Sequence, residues 1–74
     1  MIYLKKFVLK LTDEKELKLH DYTKSSIRDI EREMEKNKDI EIDYVVKSLK
    51  KLDELSDFSG SEWKKIEKEV EKML

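Results

Sequence analysis

His20 is the only histidine in a chain of 74 residues, and Asp21 follows it directly. A histidine that works as a general acid or base needs a carboxylate held within hydrogen-bond reach in a cleft. On an alternating strand, neighbours point to opposite faces, so Asp21 points away from His20, which reads as a solvent-side strand residue. Six serines, Ser25, Ser26, Ser48, Ser56, Ser59 and Ser61, offer hydroxyls. A serine nucleophile also needs an activating base and an oxyanion hole, and a single glycine leaves little for a close-approach loop. These serines read as caps and turns. Asp39, Glu41 and Asp43 alternate like the opening ligands of a calcium loop, but Tyr44 stands where the sharp turn needs Gly, and Lys50 where the closing Glu belongs. Asp53, Glu54 and Asp57 form a second acidic group, read as a solvated face or a contact for a basic partner. With no cysteine, thiolate chemistry and thiolate zinc sites are excluded. No phosphate loop or nucleophile elbow is present. The expectation is a non-enzymatic protein with no cofactor, no metal and no small-molecule substrate.

The elements that would position contact residues begin with residues 2–11, which are rich in β-formers. Tyr3, Phe7, Leu9 and Leu11 share a face at period two, interrupted by Lys5. Residues 16–20 alternate, with Leu17 and Leu19 on one face, and Thr12 to Lys15 is turn-like. Pairing Leu11 with Leu17 and Leu9 with Leu19 predicts a β-hairpin with one apolar face. Leu4, Phe7, Val8 and Leu11 also fit a 3.6-residue period, which keeps a helix as the rival reading.

From Thr23 the period becomes helical: Ile27, Ile30 and Met34 follow, with Thr23 as N-cap, Tyr22 and Ile27 as a staple and Asn37 as the stop. Residues 39–46 fit either period, and helix is favoured from about Asp43, continuing through Val45, Leu49, Leu52 and Leu55. The clearest start signal is at residue 59. Ser59 and Glu62 are spaced as a capping box, with Phe58 and Trp63 placed to staple it. Trp63, Ile66, Val70, Met73 and Leu74 then form the inner stripe. The predicted fold is therefore α+β, an N-terminal hairpin under about three short helices, in one domain over residues 1–74. The alternative is an all-α helix-turn-helix bundle.

Charged residues make up 47% of the chain, yet 17 basic and 18 acidic side chains cancel to a net of −1, so no global field steers it to nucleic acid or membrane. Lys5, Lys6 and Lys10 interrupt the apolar N-terminus, and nothing nears the roughly 20 apolar residues of a membrane span. The absence of cysteine fits a cytoplasmic location. Apolar residues number 28, and about 18–20 of them fall where a regular pattern turns inward. A core of that size barely offsets the ordering of the chain.

Tyr22 to Glu31, the run Tyr-Thr-Lys-Ser-Ser-Ile-Arg-Asp-Ile-Glu, resembles the recognition-helix segment of Cro/C1-type helix-turn-helix regulators. The Val45-Val46-Lys47-Ser48-Leu49 segment resembles the core helix that follows in that family. The resemblance implies a DNA-binding transcriptional regulator in which Lys24, Ser25, Ser26 and Arg28 face the major groove and its phosphates. The chain departs from the family in lacking a small residue near Leu17 or Lys18, a Gly near Asp21 and a surplus of positive charge.

The leading expectation is a different one. A strand with apolar residues on both faces carries more apolar surface than one hairpin face hides. Ile2, Leu4 and Val8 lie opposite Tyr3, Phe7, Leu9 and Leu11, so another protein chain, a second copy or a different protein, is expected to cover them. Phe58 and Trp63 are a second contact candidate, since tryptophan is enriched at interface centres. The reading is a small regulatory or inhibitory module acting through Ile2, Leu4, Val8, Phe58 or Trp63.

Overall fold

A computed structural model describes residues 3–74. Its elements are four α-helices, α1 (Leu4–Glu14), α2 (Asp21–Lys36), α3 (Ile42–Lys50) and α4 (Gly60–Met73), with a 3-10 helix at Asp53–Asp57 before α4. The described residues contain no strand, so the α+β expectation and its N-terminal β-hairpin are overturned, and the all-α reading fits instead.

The competing periods of the first segment explain the correction. Read at period two, its apolar face is broken by Lys5. Read as a helix, Leu4, Val8 and Leu11 form an unbroken stripe, with Leu4 and Val8 at 0% exposure. Only Val8 and Thr12 in α1 are β-branched; leucine and lysine dominate the rest and favour helix.

The turn taken as the hairpin loop is the end of this helix. The Glu16 N–H donates to the Asp13 carbonyl at 3.0 Å and the Leu17 N–H to the Thr12 carbonyl at 2.9 Å. This is the paired bonding of a Schellman cap, with Glu16 at φ 59° in the left-handed position that glycine usually takes. Leu19, beyond the cap, is buried and Leu17 half-buried, so the alternation of that segment is anchored by packing rather than by strand pairing.

Helix α2 starts three residues before the expected position. His20 is its N-cap, and Thr23 lies inside the first turn at 1% exposure. Asn37 ends the helix as expected. In α4 the capping box forms as the spacing required: Ser59 Oγ accepts from the Glu62 N–H and Glu62 Oε1 accepts from the Ser59 N–H. Phe58 and Trp63 meet edge-to-face, with ring centroids 5.5 Å apart.

Helix α1 packs against both α2 and α4, while α3 packs against α2, α4 and the 3-10 helix. Among the described residues fifteen hydrophobic side chains are buried, and they come from every element and from the connections. Leu55 at 0% exposure is the buried anchor of the 3-10 helix. No buried side-chain nitrogen or oxygen among the described residues lacks a hydrogen-bond partner.

Candidate functional site

Helix α1 supplies the surface. With α2 on one side and α4 on the other, its inward stripe is committed to the core and its third face looks outward. Tyr3 just before the helix is 42% exposed, and Phe7 and Leu9 are half-buried. Together with Lys6, Lys10 and Asp13 these residues line an open groove of about 640 Å³. The geometry follows from helical spacing, since residues 3, 6, 7, 10 and 13 recur on one side of the cylinder. Leucine, phenylalanine and tyrosine left partly open beside lysine stems form a surface of the kind that takes an apolar ligand face.

Two further grooves adjoin the first. One shares Tyr3, Lys6 and Leu9 with it and runs to Arg28 and Arg32 of α2. The other shares Phe7 and Lys10 and runs to Lys65, Lys68 and Lys72 of α4. The α1 face is therefore a continuous furrowed surface, with Tyr3, Phe7 and Leu9 open beside Lys6 and Lys10 along the helix, and with cations of α2 and α4, interspersed with Glu31, Glu35 and Glu69, to either side.

The residues singled out from the sequence are distributed otherwise. Ile2 lies outside the described residues. Leu4 and Val8 are wholly inside the core at 0% exposure and present nothing to a partner, because the strand face on which they were placed does not exist. Phe58 is buried at 6%, under the Lys15 ammonium 5.5 Å from its ring centroid. Trp63 is half-buried against Phe58, with Lys50 Nζ 5.5 Å from its ring centroid. The aromatic pair is thus a staple on the protein's own core, each ring covered by a lysine.

Lys24, Ser25, Ser26 and Arg28 lie on the first two turns of α2. Ser25 and Arg28 are exposed, Lys24 is half-buried, and the Ser26 hydroxyl donates to the Tyr22 carbonyl within its own helix at 2.9 Å. Asp21, Asp29, Glu31, Glu33 and Glu35 share this helix with only four cations, so the helix carries a net negative charge. That balance is the wrong sign for phosphate neutralisation.

His20 does meet a carboxylate, but not Asp21. Its Nδ1 lies 2.9 Å from Glu54 Oε2, and its backbone N–H donates to the same carboxylate at 3.1 Å. The buried Thr23 hydroxyl donates to Glu54 Oε1. These bonds, the Thr23 hydroxyl first, hold the Glu54 carboxyl below the usual carboxylate range. Glu54 thereby accepts from the N-cap backbone N–H of α2 from a distant element, satisfying one of the donors that a helix N-terminus leaves open. The arrangement lies on the surface, with the His20 side chain 75% exposed.

Asp39, Glu41 and Asp43 are all exposed, and Tyr44 beside them donates its hydroxyl to Glu33 Oε1 at 3.0 Å, which raises the Tyr44 pKa. Among the described residues no three His, Cys, Asp or Glu side chains are grouped to hold a metal ion. No helix of the described residues is long and apolar enough to cross a membrane.

The sequence pattern missed the groove residues Lys6, Phe7, Leu9 and Lys10 as a contact set because it assigned the apolar ones to a strand's inner face. The helical reading of the same segment holds the signal, since Tyr3, Phe7 and Lys10 share an outward stripe beside the Leu4, Val8 and Leu11 core stripe. Compared with known protein families, with curated proteins and with solved structures, the chain matches none.

Proposed function

We propose that this chain is a non-enzymatic module that acts by binding another protein, and that the outward face of α1 is its contact surface. The observation that carries the reading is the groove lined by Tyr3, Phe7 and Leu9 on a helix whose other faces are already packed. Apolar side chains concentrated in one furrow, on a surface otherwise crowded with charge, mark a place where burial by a partner gains the most. A regulatory or inhibitory role suits a domain this small, which can cover a partner's working surface without carrying chemistry of its own. Its natural compartment on this reading is the cytoplasm.

The test is affinity capture from the cells that make the protein, with the chain and a Lys6→Glu/Lys10→Glu variant run side by side. Both lysines are exposed, so the variant folds. A stoichiometric protein held by the native chain supports the reading. A chain that stays monomeric by light scattering and captures nothing overturns it. A gel shift with duplex DNA that is strong at low salt and lost in Lys24→Glu or Arg28→Glu would move the assignment to the helix-turn-helix regulator.

A further inference from the structure

The charge around the α1 face is not that of the whole chain. The three adjoining grooves are lined by eight lysines and arginines and five carboxylates, a net of +3. The chain totals −1, which leaves nine cations and thirteen carboxylates, a net of −4, elsewhere. Of the eight cations of this face, Lys72 is consumed in an ion pair with Glu69 of the same face. The ion pairs among the described residues are Lys15–Glu62, His20–Glu54 and Lys72–Glu69, so Lys6, Lys10, Arg28, Arg32, Lys65 and Lys68 take part in none.

Along α1 this face carries Tyr3, Phe7 and Leu9 interleaved with Lys6 and Lys10, and further cations lie to either side on α2 and α4. We infer that the face receives an acidic amphipathic helix: a partner segment with an apolar stripe at i, i+3, i+4 and i+7 and glutamates or aspartates on its flanks. This rests on the contact-module reading and specifies the partner's chemistry. The apolar stripe enters the groove, and the flanking carboxylates meet the cations of α2 on one side and of α4 on the other. Helix α1 is about 16 Å long at 1.5 Å per residue, which matches a partner of about three turns.

The charge argument also separates this occupant from its competitors. A second copy docking through the same face would set +3 against +3, which like-charge repulsion disfavours. The five carboxylates among the cations bear on every anionic partner alike, but a phosphate backbone brings no apolar stripe for Tyr3, Phe7 and Leu9, and DNA and anionic vesicles are therefore arms of the test.

The deciding experiment titrates the ¹⁵N-labelled chain with four probes. These are a 14-residue helical peptide with leucines at i, i+3, i+4 and i+7 and glutamates flanking them, the same peptide with every glutamate replaced by lysine, a short DNA duplex, and phosphatidylglycerol vesicles. The acidic peptide is expected to shift the amides of residues 3–13 and to bind at least about tenfold more tightly than the basic one, weakening with salt. Lys6→Glu/Lys10→Glu is expected to remove that preference, and Tyr3→Ser to weaken binding by a smaller factor. No response to the acidic peptide at millimolar concentration, equal binding of the basic peptide, shifts that map away from α1, or a response to DNA or vesicles alone would each overturn the inference. Capture of a cellular partner that Lys6→Glu/Lys10→Glu leaves undisturbed would sink this inference and leave the contact-module reading standing. Absence of both partner and peptide binding would sink the two together.

Discussion

Lys15 Nζ stands 2.8 Å from Glu62 Oε1 and donates at 2.8 Å to the Asp57 carbonyl as well, so one side chain at the end of α1 ties down the start of α4 across 47 residues of sequence. Glu62 is at the same time the acceptor for the Ser59 N–H in the capping box. The Lys15 ammonium and that backbone donor together hold the Glu62 carboxyl down to about 2. Lys15 also lies over the Phe58 ring, so the local start signal of α4 and the long-range tie share their residues.

The first prediction concerns pH. The Glu62 pKa is depressed from 4.5 to about 2, so its contribution to stability is fully present above the ordinary value. It shrinks as pH falls below that value and is lost once pH has passed through about 2. Glu54, also depressed, acts with the same sign. Carboxyl-detected NMR titration is expected to find the Glu62 midpoint well below the usual carboxylate range, and Lys15→Met is expected to return it toward that range.

Glu16 gives the second. A non-glycine residue in the left-handed region bears a steric cost that glycine does not. Glu16→Gly is expected to stabilise the fold by about 0.5–1 kcal/mol, read as a higher urea midpoint with an unchanged slope. A lower midpoint would show that the Schellman cap does not form as described.

The third is a coupling. Thr23 is buried, and its hydroxyl finds its acceptor in Glu54, 31 residues away. Glu54→Ala is expected to lower the melting temperature, and to lower it less when Thr23 is already valine, because no hydroxyl is then left without a partner. Additive single and double variants in thermal melts would show that the two side chains do not interact.

Core and surface should separate sharply in the fourth. Leu49 sits at 0% exposure where α3 enters the core, and Leu49→Ala is expected to cost about 2–5 kcal/mol. Against a total of about 4–11 kcal/mol for a domain of this length, that is a large share of the stability. Tyr22, 63% exposed, is expected to tolerate serine within about 0.5 kcal/mol. Circular dichroism of the two variants in denaturant checks both.

Of the candidate site, the cationic character of the first segment was legible in Lys5, Lys6 and Lys10, and so was its surplus of apolar residues. Its orientation was not. Leu4 and Val8 were expected to face a partner and instead fill the core, while Tyr3, Phe7 and Leu9 were expected on an inner face and remain partly open.

What the sequence determined by itself was whatever depends on near neighbours along the chain. The Ser59–Glu62 capping box and the Phe58–Trp63 staple are set by residues within a single turn, and the stop at Asn37 by the end of the α2 apolar stripe. The first eleven residues satisfied two periods almost equally well, so local preference could not choose between strand and helix. Tertiary structure chose, because α2 and α4 together bury a helical stripe of Leu4, Val8 and Leu11, and the described residues contain no strand to pair with an alternating face. The same holds for the start of α2. Thr23 looked like a cap to its own helix, but a carboxylate brought in by the 3-10 helix took over that work, and only the folded chain places Glu54 there.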